Sequence, residues 1–339
     1  MNHAVRDPRW TLAAIVTVAF ALGAVLLLHL TIALVAAMVV YTGGRRATEW
    51  MQRRTRLPHP ELLSVAILIL VIVVVTSEVV ERATEAAASS AGYKALVEQM
   101  VVTLDQLQRT LPPWLAAHVP VSFEELRTAF TAWLRAHGGE VRLWGQHTVR
   151  ATVYLLAGVV IGALAFIQTR PATRGHPAPT AWMSALSERF ALFEQSFGAV
   201  VFAQLRIAVV NTILTGLYVL VLLPLLGAPL PLALTIVAFT FFASLIPVVG
   251  NLASNSVIVI VSLAQGLWIA VLSLGYLVAI HKLEYLLNAH IVGTRIGTKA
   301  FELLAVMLVF EAMFGLAGLV MAPILYAYAK AEMRAVGWL

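Results

Sequence analysis

Residues 207–250 read IAVVNTILTG LYVLVLLPLL GAPLPLALTI VAFTFFASLI PVVG, and the 74 residues from Ile207 to Ile280 contain no Asp, Glu, Lys, Arg or His. Hydrocarbon offers no water to backbone groups, so an uncharged run of this length reads as several helices in a bilayer. Its interruptions are turn-formers: Pro224, Gly227, Pro229, Pro231 and the phrase Ile246-Pro247-Val248-Val249-Gly250-Asn251. A polar island from His281 to Lys299 follows, and then a last apolar segment holding Phe314-Gly315-Leu316-Ala317-Gly318.

Composition agrees. The 339 residues are 60% hydrophobic and 12% charged, against about 45–50% and about 25% in soluble domains. The formal charge of +6 belongs to loops flanking the membrane rather than to nucleic-acid binding, for which no signature stands beside it. With no cysteine, disulfides, thiolate nucleophiles and Cys-ligated metals are excluded.

Outward from the long run, Thr11 to Gly44 is uncharged for 34 residues. This predicts a hairpin of two short helices turning near His29. Arg45, Arg46, Arg53, Arg54 and Arg56 against Glu49 place the next loop, and with it the N-terminus, in the cytoplasm. Leu62–Val80 is a third span. Residues 81–150 are polar enough to leave the membrane as a helical arm. Leu96, Met100, Leu104, Leu107 and Leu111 form one apolar stripe there. Ser122 and Glu125 form a capping box opening a second helix, with Phe123, Leu126, Phe130, Trp133 and Leu134 on its stripe. Residues 151–169 are a fourth span. Residues 170–203 hold a Pro-rich basic linker and an amphipathic helix, with Trp182, Leu186, Phe190, Phe193 and Phe197 on one face, expected along the inner interface. Residues 204–339 form the remaining core: a fifth span to Pro224 and a sixth over Leu230–Ile246. The stretch Leu252–Leu287 reads as one tilted helix or a hairpin at Gln265-Gly266. Phe301–Lys330 reads as one crossing or a fold-back at Gly315–Gly318. The expected class is an all-α polytopic membrane protein of about eight membrane segments, some re-entrant, with an extramembrane arm.

The phrases Ile246-Pro247-Val248-Val249-Gly250, Leu283-Glu284, Ile291-Val292-Gly293, Phe314-Gly315-Leu316-Ala317-Gly318, Ala322-Pro323 and Lys330 resemble, in order and spacing, the signature of the autoinducer-2 exporter family of bacterial membrane transporters. Gln204 matches that family's Gly-Gln pair, with Ala203 in place of the glycine. Other departures are Val248 for an aromatic, Ala289-His290 where the family has Pro, and Lys299-Ala300 for His-Pro. The resemblance implies a multi-pass protein of the bacterial inner membrane that exports a small polar molecule such as a signalling metabolite, or exchanges sodium or lithium for protons. It also implies a homo-oligomer, a pentamer among the forms. A non-transporting oligomeric scaffold is the reading from another class. No His-Glu-x-x-His, Gly-x-Ser-x-Gly or Walker sequence is present, so neither an enzyme nor a cofactor is expected.

Pro247 and Gly250 would break a helix, proline by removing a donor and glycine by permitting positive φ. Freed backbone groups, with Asn251 and Asn255, would then line a path; an ordinary inner loop is the plainer reading. His281, Glu284 and Asn288 share a helix face with Tyr285, and Glu284 and Glu311 are carboxylates near lipid depth, costly unless paired or on a path. Glu284 also reads as a salt-bridged residue at the membrane surface, and Glu311 as a residue near a re-entrant tip or paired with Arg295 or Lys299. Gly293, Gly315, Gly318 and Pro323 are expected at hinges or close packing. Asn211 and Thr215, one turn apart, are expected to hydrogen-bond between helices.

Overall fold

A computed structural model describes residues 8–54, 59–88, 150–169, 180–247, 249–291 and 300–338. Most of the arm, the linker at 170–179 and Gly293 lie outside the described residues. Among those described, the secondary structure is helical throughout, as expected. The helices are α1 (Pro8–Leu27), α2 (Thr31–Arg54), α3 (Pro60–Ala88), α4 (Arg150–Gln168), α5 (Ala181–Leu217), α6 (Ala233–Ser244), α7 (Val249–Leu263), α8 (Leu267–Ile291) and α9 (Ala300–Val336). Two compact units are formed by residues 1–74, 148–203 and 296–339, and by residues 75–147 and 204–295.

In the first unit the α1–α2 hairpin turns at His29, whose φ is 55°. α2 carries two apolar faces. Met38 joins Leu22, Leu26, Phe193, Phe197, Met321, Ile324 and Tyr328, and Ala36, Val40 and Tyr41 join Val65, Val159, Ala163 and Phe166. Lipid is as apolar as these side chains, so close packing rather than water exclusion holds them. Gly158 and Gly162 of α4 sit directly on the backbones of Ala33 and Ala37, where a Cβ would strike the carbonyls. Thr48 and Ser64, both buried, hydrogen-bond at 2.6 Å between α2 and α3. Outward faces, with Phe20 78% exposed, are apolar and suit lipid.

α5 differs from the expected pair of elements. The amphipathic stretch and the fifth span are one continuous helix of 37 residues. It is followed by a π-helical turn, Tyr218–Leu222, and a last α turn to Leu225. Backbone hydrogen bonding does not sense the change from an amphipathic to a uniformly apolar surface, and no proline lies between 181 and 217. Phe193 and Phe197 are buried inside the first unit rather than spread on a membrane surface.

In the second unit α6, α7 and α8 follow as short hairpins around Tyr218, Val219, Leu223, Leu230, Ile236, Ile258 and Leu277. α6 is shorter than its predicted span because Leu232 takes a left-handed φ of 55°; 12 residues reach only about 18 Å. Gly266, at φ 121°, turns α7 into α8, which decides for the hairpin.

α9 also folds back. Gly315 has φ 60° and ψ −143°, and Glu302 contacts Tyr326 and Lys330. A straight helix would hold Glu302 and Lys330 about 42 Å apart. Among the described residues, four helical stretches are long and apolar enough to cross a membrane, 301–336 among them. The fold-back makes this last one two arms, 300–314 and 316–336. The first, about 22 Å long, falls short of a hydrocarbon core of about 30 Å. Only glycine is at ease at Gly315's dihedrals, and nothing lies within 4 Å of a Cβ placed there. Gly315→Ala is therefore expected to lose about 1–3 kcal/mol purely as backbone strain. Thermal unfolding in detergent checks this; a neutral substitution would contradict the hairpin geometry.

Candidate functional site

The second unit holds an uncharged polar seam where α6 stops and α7 begins. A helix end leaves carbonyls without intrahelical donors. Here Gln204 of α5 donates its amide to the Ser244 carbonyl at 2.6 Å. Asn211, buried and two turns further along, donates to the Ser244 hydroxyl at 2.7 Å and to the Asn251 side-chain oxygen at 3.2 Å. Both amide hydrogens of Asn211 are thus used. Thr240 and Ser254, buried, pair at 2.6 Å between α6 and α7. The seam continues through Tyr218, bonded to Ser273 at 2.8 Å, and Ser273, bonded to Ser262 at 2.8 Å. Tyr276 stacks on Tyr218 with ring centres 4.0 Å apart and donates to the Leu214 carbonyl. These two tyrosines meet beside the π-helical turn, a local widening that recurs at functional places in helices.

Of the expected path residues, Pro247, Gly250 and Asn251 come together here. Pro247 occupies the turn, its carbonyl accepting from Val249 at 2.7 Å. Gly250 departs from its expected reason. Its φ is not positive; it sits inside α7, buried, with a Cβ position that would collide with the Ala243 carbonyl. Close approach of two helices, not a left-handed turn, requires it. Asn255 is half-buried one turn beyond Asn251. His281 is exposed on α8, and the side chains of Glu284 and Asn288 lie outside the described residues. Asn211 makes the expected interhelical bonds. Thr215, 1% exposed, does not: its hydroxyl has no hydrogen-bond partner.

Glu311, exposed, Gly315, Gly318 and Pro323 belong to the first unit. Gly318 is buried against the Phe310 carbonyl of the facing arm, and Pro323 is buried within the second arm; both serve close packing. The first unit's own polar cluster was not legible in the chain. Arg45 donates twice to Glu194, at 2.9 and 2.7 Å, joining α2 to α5. Arg189 of α5 is 1% exposed and pairs with Glu332 of α9 at 3.0 Å, and Tyr328 donates to Glu332 at 2.9 Å. Lys330 pairs with Glu302 at 2.9 Å. The i, i+4 pairs Tyr326/Lys330 and Tyr328/Glu332 were the available signal, but their partners are remote in sequence. A cavity of about 570 Å³ opens among Arg45, Arg46, Glu49, Glu188, Arg189 and Glu194, where three cations face three anions. No grouping of side chains suited to a metal ion occurs among the described residues.

Among the described residues, apolar outer faces, close-packed small residues, long apolar helices and an uncharged polar seam define a multi-pass, all-helical membrane protein. More particularly, the profile of the AI-2E family transporter matches residues 14–338, nearly the whole chain, and the chain belongs to that family of membrane transporters. No curated protein and no solved structure matches it.

Proposed function

We propose that this protein is a secondary exporter of a small, uncharged, polar molecule, and that the solute passes along the seam of Gln204, Asn211, Ser244, Asn251 and Thr215. The observation that carries the reading is the uncharged, hydrogen-bonded character of the seam, whose members from Asn211 onward lie within a 74-residue uncharged run. Amides and hydroxyls exchange hydrogen bonds with a hydroxylated solute without the cost of desolvating an ion. Thr215 supports it further. A buried hydroxyl without a partner costs about 1–3 kcal/mol, so this group has the most to gain from a passing solute. Pro247, Gly250 and Asn255 frame the same turn; Glu284, His281 and Asn288 of α8 and Glu311 of α9 are assigned to the entry and coupling steps. Gly293, Gly315, Gly318 and Pro323 serve as hinges and close contacts. In this reading residues 1–80, 151–169 and 170–203 support a transport core of 204–339, and residues 81–150 are an extramembrane arm. The protein works as a homo-oligomer in the bacterial inner membrane, with the Arg45–Arg56 loop and the N-terminus in the cytoplasm.

The test is flux from proteoliposomes loaded with labelled autoinducer-2 furanone, with sodium-22 as a parallel arm. Asn211→Leu is expected to lower furanone efflux at least about tenfold, the equivalent of ~1.4 kcal/mol. Sodium flux without furanone flux would instead favour ion exchange, and no flux of either would sink the proposal.

A further inference from the structure

The two arms of α9 are held very differently. In the second arm Met321, Ala322, Ile324 and Tyr328 are buried. Its end is tied to α5 by the Arg189–Glu332 pair and by the edge of Phe193 against Tyr328. The first arm shows Phe301, Leu304, Leu308, Val309 and Met313 to the outside, each about half to two-thirds exposed. Met307 is buried, and Phe310 and Phe314 lean on the first unit's core. At its base, Glu302 accepts from both Lys330 and Tyr326 of the second arm. At its tip stands Gly315, in dihedrals open to glycine and with free space around it. An arm with a free pivot, an exposed outer face and a charge-assisted tie about 20 Å from the pivot is built to be released at the tie. A small rotation at Gly315 displaces the base by several ångströms.

We propose that Glu302 is a positioning residue: through Lys330 and Tyr326 it latches the arm 300–314 against the arm 316–336, and its release lets the first arm swing about Gly315 during transport. This rests on the transporter reading. The latch lies within the first unit and the seam within the second, and Glu302 acts through Lys330 and Tyr326. Lys330 and Glu302 are 15% and 29% exposed, so the pair is shielded enough from water to hold, yet open enough to be remade after release.

The full chain contains no cysteine, so labels can be placed without removing native thiols. Spin labels at Phe301→Cys and Ala329→Cys, both on exposed positions, report the gap between arm bases in reconstituted protein. The unmodified latch should give one short distance. Glu302→Gln should move at least about a third of the population to a longer one, and the exchange Glu302→Lys with Lys330→Glu should bring the short distance back. An unchanged distribution in Glu302→Gln overturns the latch. Since a charge variant can lose its fold, a second form is the pair Glu302→Cys with Lys330→Cys. Joining the two thiols with a short bifunctional maleimide that carries a cleavable disulfide should cut efflux of labelled furanone about tenfold, with recovery on reduction; undiminished efflux from the cross-linked protein overturns release of the latch in transport. Absence of furanone efflux from the unmodified protein would count against the exporter reading, while the label distances still decide the latch.

Discussion

Glu332→Ala is expected to destabilise the protein by about 3–5 kcal/mol, the range for removing one member of a buried ion pair. Arg189 is 1% exposed and Glu332 is 7% exposed, and their charges stand 3.0 Å apart. The contact pairs charge without a well-aligned hydrogen bond, since neither atom meets hydrogen-bond geometry. Without the carboxylate, Arg189 keeps, among the described residues, Glu188 at 3.3 Å, a side chain 44% exposed and too wet to compensate it fully. Tyr328 would lose its acceptor as well. Arg189→Met combined with Glu332→Leu should recover most of the loss, because desolvation of both charges disappears with them. Denaturant unfolding in detergent, run as a double-mutant cycle, measures this. A loss below about 1 kcal/mol for Glu332→Ala would mean that the pair is solvated and the helix junction is held by packing.

Gly250→Ala is the second large effect expected. The added methyl would overlap the Ala243 carbonyl, which is backbone and cannot rotate away. α6 and α7 must therefore separate, at about 1–3 kcal/mol. Separation would stretch the 2.6 Å Thr240–Ser254 bond and the Asn211–Asn251 bond. In the proposed function it would also slow furanone efflux. Gly275→Ala is the matched control: nothing lies within 4 Å of its Cβ, and a mid-helix glycine replaced by alanine gains about 0.5–1 kcal/mol. Equal behaviour of the two variants in thermal unfolding would contradict the close approach at Gly250.

Several features of the fold could be read from the chain because they depend on short-range chemistry. The turn at His29 follows from a 34-residue uncharged run, and the helical class follows from the need to satisfy backbone groups in lipid. Gly266 and Gly315 were recognisable as turn positions, yet charge counting left open whether the chain turned there. A fold-back and a crossing can carry the same local sequence; what separates them is a contact 28 residues away, Glu302 with Lys330. The same ignorance of depth drew attention to Glu311, which is exposed, and away from Glu302, which makes the inter-arm pair.

The seam was half legible for a similar reason. Asn211 and Asn251 stand out as amides in apolar helices, and the first makes the interhelical bonds expected of it. Ser244, Ser254, Ser262 and Ser273 look no different from serines bonded to their own helix, as Ser256 is to Leu252. Only the packing of α6, α7 and α8 selects them.

By itself, the sequence determined that this protein lives in a membrane as a bundle of helices, where those helices break, and to which transporter family it is similar. These follow from hydrophobicity, turn chemistry and local motif, which act over a few residues. Tertiary structure alone decided that α5 runs on without a break, that α9 is a hairpin and that Gly250 is needed for close approach. It alone paired Arg189 with Glu332 and Lys330 with Glu302. Partners of buried charges and polar groups are chosen by which helix faces meet, and that choice is made across tens or hundreds of residues.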